Sequence, residues 1–511
     1  MDRTAQFAEY IRNGYAFKGE SALLGNAMLD GNVLPDAAVH IPFKTLNRHG
    51  LIAGATGTGK TKTLQVLAES FSDASIPVLL MDIKGDLSGI AAAGVSNDKI
   101  TDRCQKLGIP FQAAAFPAEL LTLSNEHGVR LRATVSEFGP VLFSKILSLN
   151  DTQGGLMSML FKYCDDHQMP LLDLKDVTKL LQWASNEGKQ ELEKEYGSLS
   201  TSSTGTILRK VIELQQQGGD LFFGEKSFEV DDLMRIADDG RGMISILRVT
   251  DMQDKPKLFS TFMLQMLAEL YATLPEVGDA DKPKLVIFID EAHLIFKEAT
   301  TALLEQIETI IKLIRSKGVG IFFCTQNPMD VPPAILGQLG LKIQHALRAF
   351  TANDRKAIKQ TAENYPLSDF YKTEDLITQI GIGEALVTLL NEKGIPTPLA
   401  AVMLCPPRSR MDVLAEAELN QLVSQSRIVA KYNQAIDRES AFEILTAKLQ
   451  EAAANPPATA AKGKKTAEDK SVLEEVMDNS VVKSMARTAG NLLVRSLLGA
   501  LGLGGKTTRK R

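Results

Sequence analysis

Apolar positions along this chain fall into two alternating textures. Short unbroken runs such as Leu51-Ile52-Ala53, Val78-Leu79-Leu80-Met81, Leu285-Val286-Ile287-Phe288-Ile289 and Ile321-Phe322-Phe323-Cys324 contain no polar residue. A strand with one wet face alternates, so unbroken runs predict strands buried on both faces, as in a parallel sheet. Between them the spacing changes to three and four. Thr63–Phe71, Phe259–Leu274 and Leu303–Ile314 each place apolar residues along one helical face. Strands alternating with such helices predict an α/β fold with a mainly parallel sheet. Phe111–Phe116, Val129–Thr134, Gly242–Leu247, Leu341–Phe350 and Glu384–Leu389 read as further strands.

The texture changes between Ser136 and Asp239, where Phe143–Leu147, Leu156–Phe161, Val177–Leu181 and Ile207–Leu214 all keep helical period. This predicts an all-helical subdomain inserted into the sheet, with the single tryptophan, Trp183, as packing and the Ser/Thr/Gly-rich Ser198–Gly205 as a flexible break. These textures divide the chain. Residues 1–45 are a short helix-and-strand segment at the edge of the α/β core, too small to stand alone. Residues 46–135 and 240–405 are the two parts of that core, and 136–239 the helical insertion. Residues 406–455 are C-terminal helices, and 456–472 are an Ala/Lys/Gly/Pro-rich linker. Residues 473–511 form an amphipathic tail ending in four basic residues over Lys506–Arg511. That tail suits contact with DNA, a protein partner or a membrane surface, and equally a mobile end with one docking helix.

Composition narrows the setting. The chain has 511 residues, 44% of them hydrophobic, and a net charge of -5. It is therefore no general polyanion binder, and any nucleic-acid surface is local. Its four cysteines are scattered without a C-x-x-C pair, which argues against a disulfide framework or a zinc site and suits a reducing cytoplasm. Met1–Tyr10 has no apolar segment of the signal-peptide kind. No apolar run approaches the ~20 residues of a membrane span, so no stable membrane insertion is expected.

The chemistry begins at Gly54-Ala55-Thr56-Gly57-Thr58-Gly59-Lys60-Thr61, which fits the phosphate-binding loop G-x-x-x-x-G-K-[ST] between a short strand and a helix. Gly54, Gly57 and Gly59 free the backbone to turn its N–H groups toward phosphate oxygens. The helix that starts there adds its positive end. Lys60 is placed for the β- and γ-phosphates and the Thr61 hydroxyl for Mg²⁺. These eight residues, with Thr63 just beyond, are the expected contacts to ATP. Asp290-Glu291 ends the apolar run Leu285–Ile289, as a Walker B strand does. Asp290 is placed for the water shell of Mg²⁺, Glu291 for the attacking water. Gln326, ending the next apolar strand, suits sensing of the γ-phosphate through that water. Asp82, Lys84 and Asp86 stand either near the nucleotide or at an ordinary strand exit. Asp290-Glu291-Ala292-His293 spells a DEAH tetrad, but four letters alone do not identify a helicase class.

The order of these motifs resembles the HerA/FtsK superfamily of RecA-like motor ATPases, most closely its YjgR-type branch. His49–Thr61, Met81–Gly89, Leu274–Asp279, Asp290–Leu294 and Thr325–Pro328 carry the likeness, which covers about residues 45 to 405. The resemblance implies a RecA-like P-loop core, ATP and Mg²⁺ as cofactors, and a homo-hexameric ring. It implies DNA as the partner, with translocation or unwinding as the work. It also implies that Arg315 reaches a neighbouring subunit as an arginine finger, with Arg348 and Arg355 as rivals. HerA carries an N-terminal β-barrel for which residues 1–45 are too few, so nucleases that dock on that barrel are not expected. The same site would also serve a secretion-type motor acting on protein, or a slow nucleotide switch.

Overall fold

A computed structural model describes residues 2–454 except 198, 253–254, 279, 298–300 and 435. The linker and tail expected over 456–511 lie outside the described residues. Two compact units divide the chain. Among the described residues no helix is long and apolar enough to cross a membrane.

The first unit comprises Met1–Leu131, Phe228–Leu267 and Leu274–Gln434, and is built on one twelve-stranded sheet. In chain order its strands are β1 (Ser21–Leu29), β2 (Asn32–Pro42), β3 (Gly50–Ala53), β4 (Val78–Asp82), β5 (Ala118–Thr122), β6 (Val129–Arg130), β7 (Ile244–Arg248), β8 (Leu285–Ile289), β9 (Val319–Thr325), β10 (Leu341–Gln344), β11 (Glu384–Thr388) and β12 (Ala400–Leu404). They lie in the order β2-β1-β12-β11-β10-β3-β9-β8-β4-β7-β5-β6. From β10 to β6 every pairing is parallel. From β10 to β2 every pairing is antiparallel. The fold is the expected α/β class with a mostly parallel sheet.

Burial explains the unbroken apolar runs. Every residue of β3, β4, β8 and β9 is buried, because helices cover both faces of the parallel part. The helix Lys60–Asp73 lies on one face through Leu64, Leu67, Ala68 and Phe71. Phe71 stacks on Phe288 at 6.1 Å, and Phe322 stands 5.0 Å from Phe288. Burial of a ring such as Phe71 contributes about 1.5–3 kcal/mol. A polar tether holds the same helix from its other side. Gln65 donates to the Ser409 hydroxyl (2.6 Å), and Glu69 accepts from the Ser409 N–H (3.0 Å) and hydroxyl (2.6 Å).

Three expected elements differ. Phe111–Phe116 forms no strand. Pro110 and Pro117 bracket it, and its N–H groups go to scattered carbonyls, Ala114 to Arg408 and Phe116 to Ile90. The strand after Leu341 stops at Gln344, because the chain then turns behind the phosphate loop. The strand expected over Val129–Thr134 is only Val129–Arg130, with Leu131 N–H donating to Thr122.

The second unit comprises Arg132–Ser227, Ala268–Thr273 and Ala435–Arg511. Its described part is helical: Val135–Ile146, Asp151–Asp166, Leu174–Ser185, Lys189–Tyr196, Thr201–Gln216, Gly219–Phe222 and Ala441–Ala454. Capping boxes at Thr134/Glu137, Asn150/Gln153 and Asp173/Asp176 start three of them. Trp183 is buried and stacks on Tyr163 at 5.1 Å. The Ser/Thr run read as a break instead starts a helix at Thr201. The Ser200 hydroxyl caps the N–H of Ser203 (3.3 Å), a role for which serine is suited.

Candidate nucleotide-hydrolysis site

Parallel strands bring their carboxyl ends to one edge, and there the scattered motifs meet. Ala53, which ends β3, pairs with Thr325 of β9 on one side and Gln344 of β10 on the other. The loop Gly54–Gly59 leaves β3 with φ values of 152° at Gly54, 77° at Gly57 and 113° at Gly59. Only glycine adopts these freely. Gly59 caps the fourteen-residue helix Lys60–Asp73, so that helix's free N–H groups and positive end face the loop. Thr56 and Gly57 are exposed at the crest.

Lys60 is buried, with Nζ donating to the carbonyls of Gly54 (2.7 Å) and Ala55 (3.1 Å). Burial and then the nearby Lys84 ammonium lower its pKa, against the pull of Glu291 and Asp290. Thr58 turns its hydroxyl back to Ala55 O (2.7 Å). Thr61 stands half-buried in the first turn. Thr63 does not face the loop's open side: it is buried and bonded to His345 Nε2 at 2.9 Å.

Asp290 and Glu291 follow β8 on the same edge, both buried. Glu291 has φ +46°, an unusual backbone for a residue with a side chain. Gln326 donates to Glu291 Oε1 (3.4 Å) and accepts from the Thr56 hydroxyl (3.4 Å), joining β9, the acid pair and the loop. His293 Nδ1 lies 3.2 Å from Glu291 Oε2, at ion-pair distance without hydrogen-bond geometry. Burial pushes Glu291 up, but Lys84, Gln326 and His293 outweigh it and hold the carboxyl below its ordinary value. Burial raises Asp290 to about 6 despite Lys84. Asp82 points away from this chemistry. Its buried carboxylate accepts the N–H groups of Gly85, Asp86 and Leu87 and shapes the turn after β4.

The residues present fit a magnesium nucleotide. Asp290 Oδ2 and Glu291 Oε2 are buried acid oxygens without a hydrogen-bond donor. The Lys60 ammonium gives two of its three N–H donors to loop carbonyls, which leaves one for a phosphate oxygen, and space above Gly57 is open. Among the described residues no three His, Cys, Asp or Glu converge as a metal cage. That suits an ion held by one carboxylate, a hydroxyl and phosphate oxygens.

Arg315 lies apart from this cluster. It is exposed in the turn before β9, whereas Gln326 follows the other end of that strand. Seven strand residues span ~20 Å, so Arg315 cannot serve the site of its own chain. Arg348 and Arg355 are exposed beyond the carboxyl end of β10, Arg348 donating to Thr378 O (2.8 Å).

Two supports escaped the sequence reading. His345 backs the loop: its N–H donates to Ala53 O (2.7 Å), and Ala55 N–H donates to Ala346 O (2.8 Å). Gly383 N–H donates to Thr58 O (3.0 Å), and Arg103 clamps that turn through the carbonyls of Ile382, Gly383 and Leu404. A polar residue ending a buried strand, the signal that singled out Gln326, also marks His345. Nothing local marks Arg103.

A family model described as Helicase HerA-like C-terminal matches residues 28–509. The DNA double-strand break repair helicase HerA of Sulfurisphaera tokodaii is 23% identical over 360 residues, 69% of this chain and 64% of that protein. The protein of the same description from Sulfolobus acidocaldarius is 20% identical over 368 residues, 70% and 66% respectively. The chain thus spans just under two thirds of the length of these relatives. The bacterial conjugative coupling protein TrwBdeltaN70 shares the fold, with a TM-score of 0.50 at 15% identity over 80% of this chain and 94% of that one. A family match of that extent, on a sheet that draws the phosphate loop and the acidic strand end to one edge, makes the chain a member of the Helicase HerA-like C-terminal family within the HerA/FtsK superfamily of P-loop ATPases.

Proposed function

We propose that the protein is an ATP-hydrolysing ring motor that moves along DNA. The observation carrying the hydrolytic part is the convergence of Lys60, Asp290, Glu291 and Gln326, which follow the carboxyl ends of three separate strands, on one glycine loop. The loop N–H groups and Lys60 hold the triphosphate, and Thr61 with Asp290 holds Mg²⁺. Bound there, Mg²⁺ would supply positive charge to offset that of the phosphates. Glu291, ionised at neutral pH, orients and deprotonates the attacking water, while Gln326 keeps that carboxylate aimed and links it to Thr56. Arg315 completes the site of the next copy in a ring, stabilising negative charge from outside. DNA is inferred from the repair helicases that the chain resembles.

The test is the ATPase rate with and without duplex DNA, from low to high salt. DNA raises the rate at low salt and the gain fades as salt rises, because phosphate contacts release counterions. In the same assay Glu291→Gln keeps ATP binding and loses ~10²–10⁴-fold in rate. A rate indifferent to DNA at low salt sinks the DNA part, leaving a motor on protein or a nucleotide switch. Normal turnover by Glu291→Gln sinks the catalytic assignment.

A further inference from the structure

One cation in the site is not accounted for by the phosphate loop or the acidic strand end. Asp82, fully buried, accepts the N–H groups of Gly85 (2.7 Å), Asp86 (3.1 Å) and Leu87 (3.1 Å). With Gly85 at φ +76°, these bonds lock the turn after β4. The turn aims Lys84 across the adjoining strand end, since β4 pairs in parallel with β8, Met81 opposite Ile289. Lys84 Nζ ion-pairs with Glu291 and lies 3.7 Å from Asp290 Oδ2. The acid side chains are 6% and 7% exposed, whereas that of Lys84 is 36% exposed. Lys60, the other ammonium of the site, is turned to the carbonyls of Gly54 and Ala55.

Two adjacent buried carboxylates need a positive partner. Lys84 supplies it at the place where a divalent ion is due. An ammonium is a compact charge on a flexible stem, so it can leave toward solvent without dismantling the turn. An acid pair held in this way takes up a free divalent ion poorly, because the ion must first displace a charge already there.

We propose that Lys84 is a positioning residue for the metal-dependent step. It holds Asp290 and Glu291 in the nucleotide-free protein, gives way to the ion that arrives with the nucleotide, and then faces the terminal phosphate. The role rests on the nucleotide-hydrolysis reading above, and it couples metal loading to nucleotide loading. Binding of Mn²⁺ to the full-length, nucleotide-free protein, followed by electron paramagnetic resonance, tests it without any turnover. Lys84→Met binds Mn²⁺ on the order of tenfold more tightly than the wild type, since a unit charge near the acids has gone. The gain disappears when Asp290→Asn is added, and Lys84→Arg stays as weak as the wild type. Lys84→Gln gives the same comparison should the methionine variant fail to fold. Unchanged or weaker Mn²⁺ binding in a folded neutral variant overturns the proposal. A wild type that takes up no fluorescent ATP analogue overturns the hydrolysis reading instead, and with it the phosphate-facing half of the role.

Discussion

Replacing Gly54 by alanine asks how tightly the phosphate loop is backed. A Cβ built there stands 2.5 Å from His345 Cβ and 3.1 Å from His345 C and Cα. These atoms are backbone or the first side-chain atom, so no rotamer change relieves them. Restoring van der Waals distance moves the loop about 1 Å off β10, against the bonds His345 N–H to Ala53 O and Ala55 N–H to Ala346 O. Overpacking of this kind costs about 1–3 kcal/mol, and the φ of 152° adds about 1–3 kcal/mol more for a residue with a side chain. Gly57 is the control: it has φ 77° but nothing within 4 Å of its Cβ, so Gly57→Ala carries only the ~1–2 kcal/mol of a left-handed residue. Misplacing reactive groups by 1 Å costs ~10²-fold in rate. Thermal melts without nucleotide, then ATPase rates, read the two effects separately. Gly54→Ala melts several degrees below Gly57→Ala and has about a hundredth of the wild-type rate. Equal melting of the two variants, with Gly54→Ala turning over normally, refutes the idea that His345 holds the loop in register.

At the amino end of β3, on the edge of the sheet away from the site, a buried histidine predicts a pH dependence. His49 Nδ1 accepts the Ile321 N–H (3.1 Å), so Nε2 carries the proton and donates to Ile311 O (2.8 Å). Burial first of all holds its pKa down, to about 4 from 6.5. The folded protein therefore binds fewer protons than the unfolded chain between those values. Its stabilisation is complete above pH 6.5 and is lost toward pH 4, by about 3 kcal/mol. Asp82 and Asp290, raised to about 6, act with the opposite sign over roughly pH 6 to 4. The comparison with His49→Gln cancels them: the stability gap in urea narrows by about 3 kcal/mol from pH 7 to 4, and an unchanged gap refutes the assignment. For Arg315, the alanine variant loses ~10³-fold or more in ATPase rate as a finger in trans would, and mixing it with Lys60→Ala subunits restores activity. Wild-type turnover by Arg315→Ala alone removes Arg315 from the site.

Much of the core was legible because its signals are local. A strand buried on both faces has to be apolar throughout, so the Leu51, Val78, Leu285 and Ile321 runs announced the parallel sheet. The glycine loop announced itself because its φ values exclude other residues. Where local signals compete, reading failed. Phe111–Phe116 lies between Pro110 and Pro117 and sends its N–H groups to scattered carbonyls instead of a neighbouring strand, and serine serves helix caps as readily as breaks, which is how Ser200 came to start a helix.

By itself, the chain's sequence determined that a phosphate loop, an acidic strand end and a glutamine strand end exist, since each depends on residue type at short spacing. The tertiary structure alone decided which of them meet. Parallel pairing of β10, β3, β9, β8 and β4 sets Gln326, Asp290, Glu291 and Lys84 around one loop, puts His345 behind it and buries Thr63. It leaves Arg315 at the opposite end of β9, beyond the reach of its own site. Strand order arises from contacts between segments hundreds of residues apart, and no spacing along the chain encodes it.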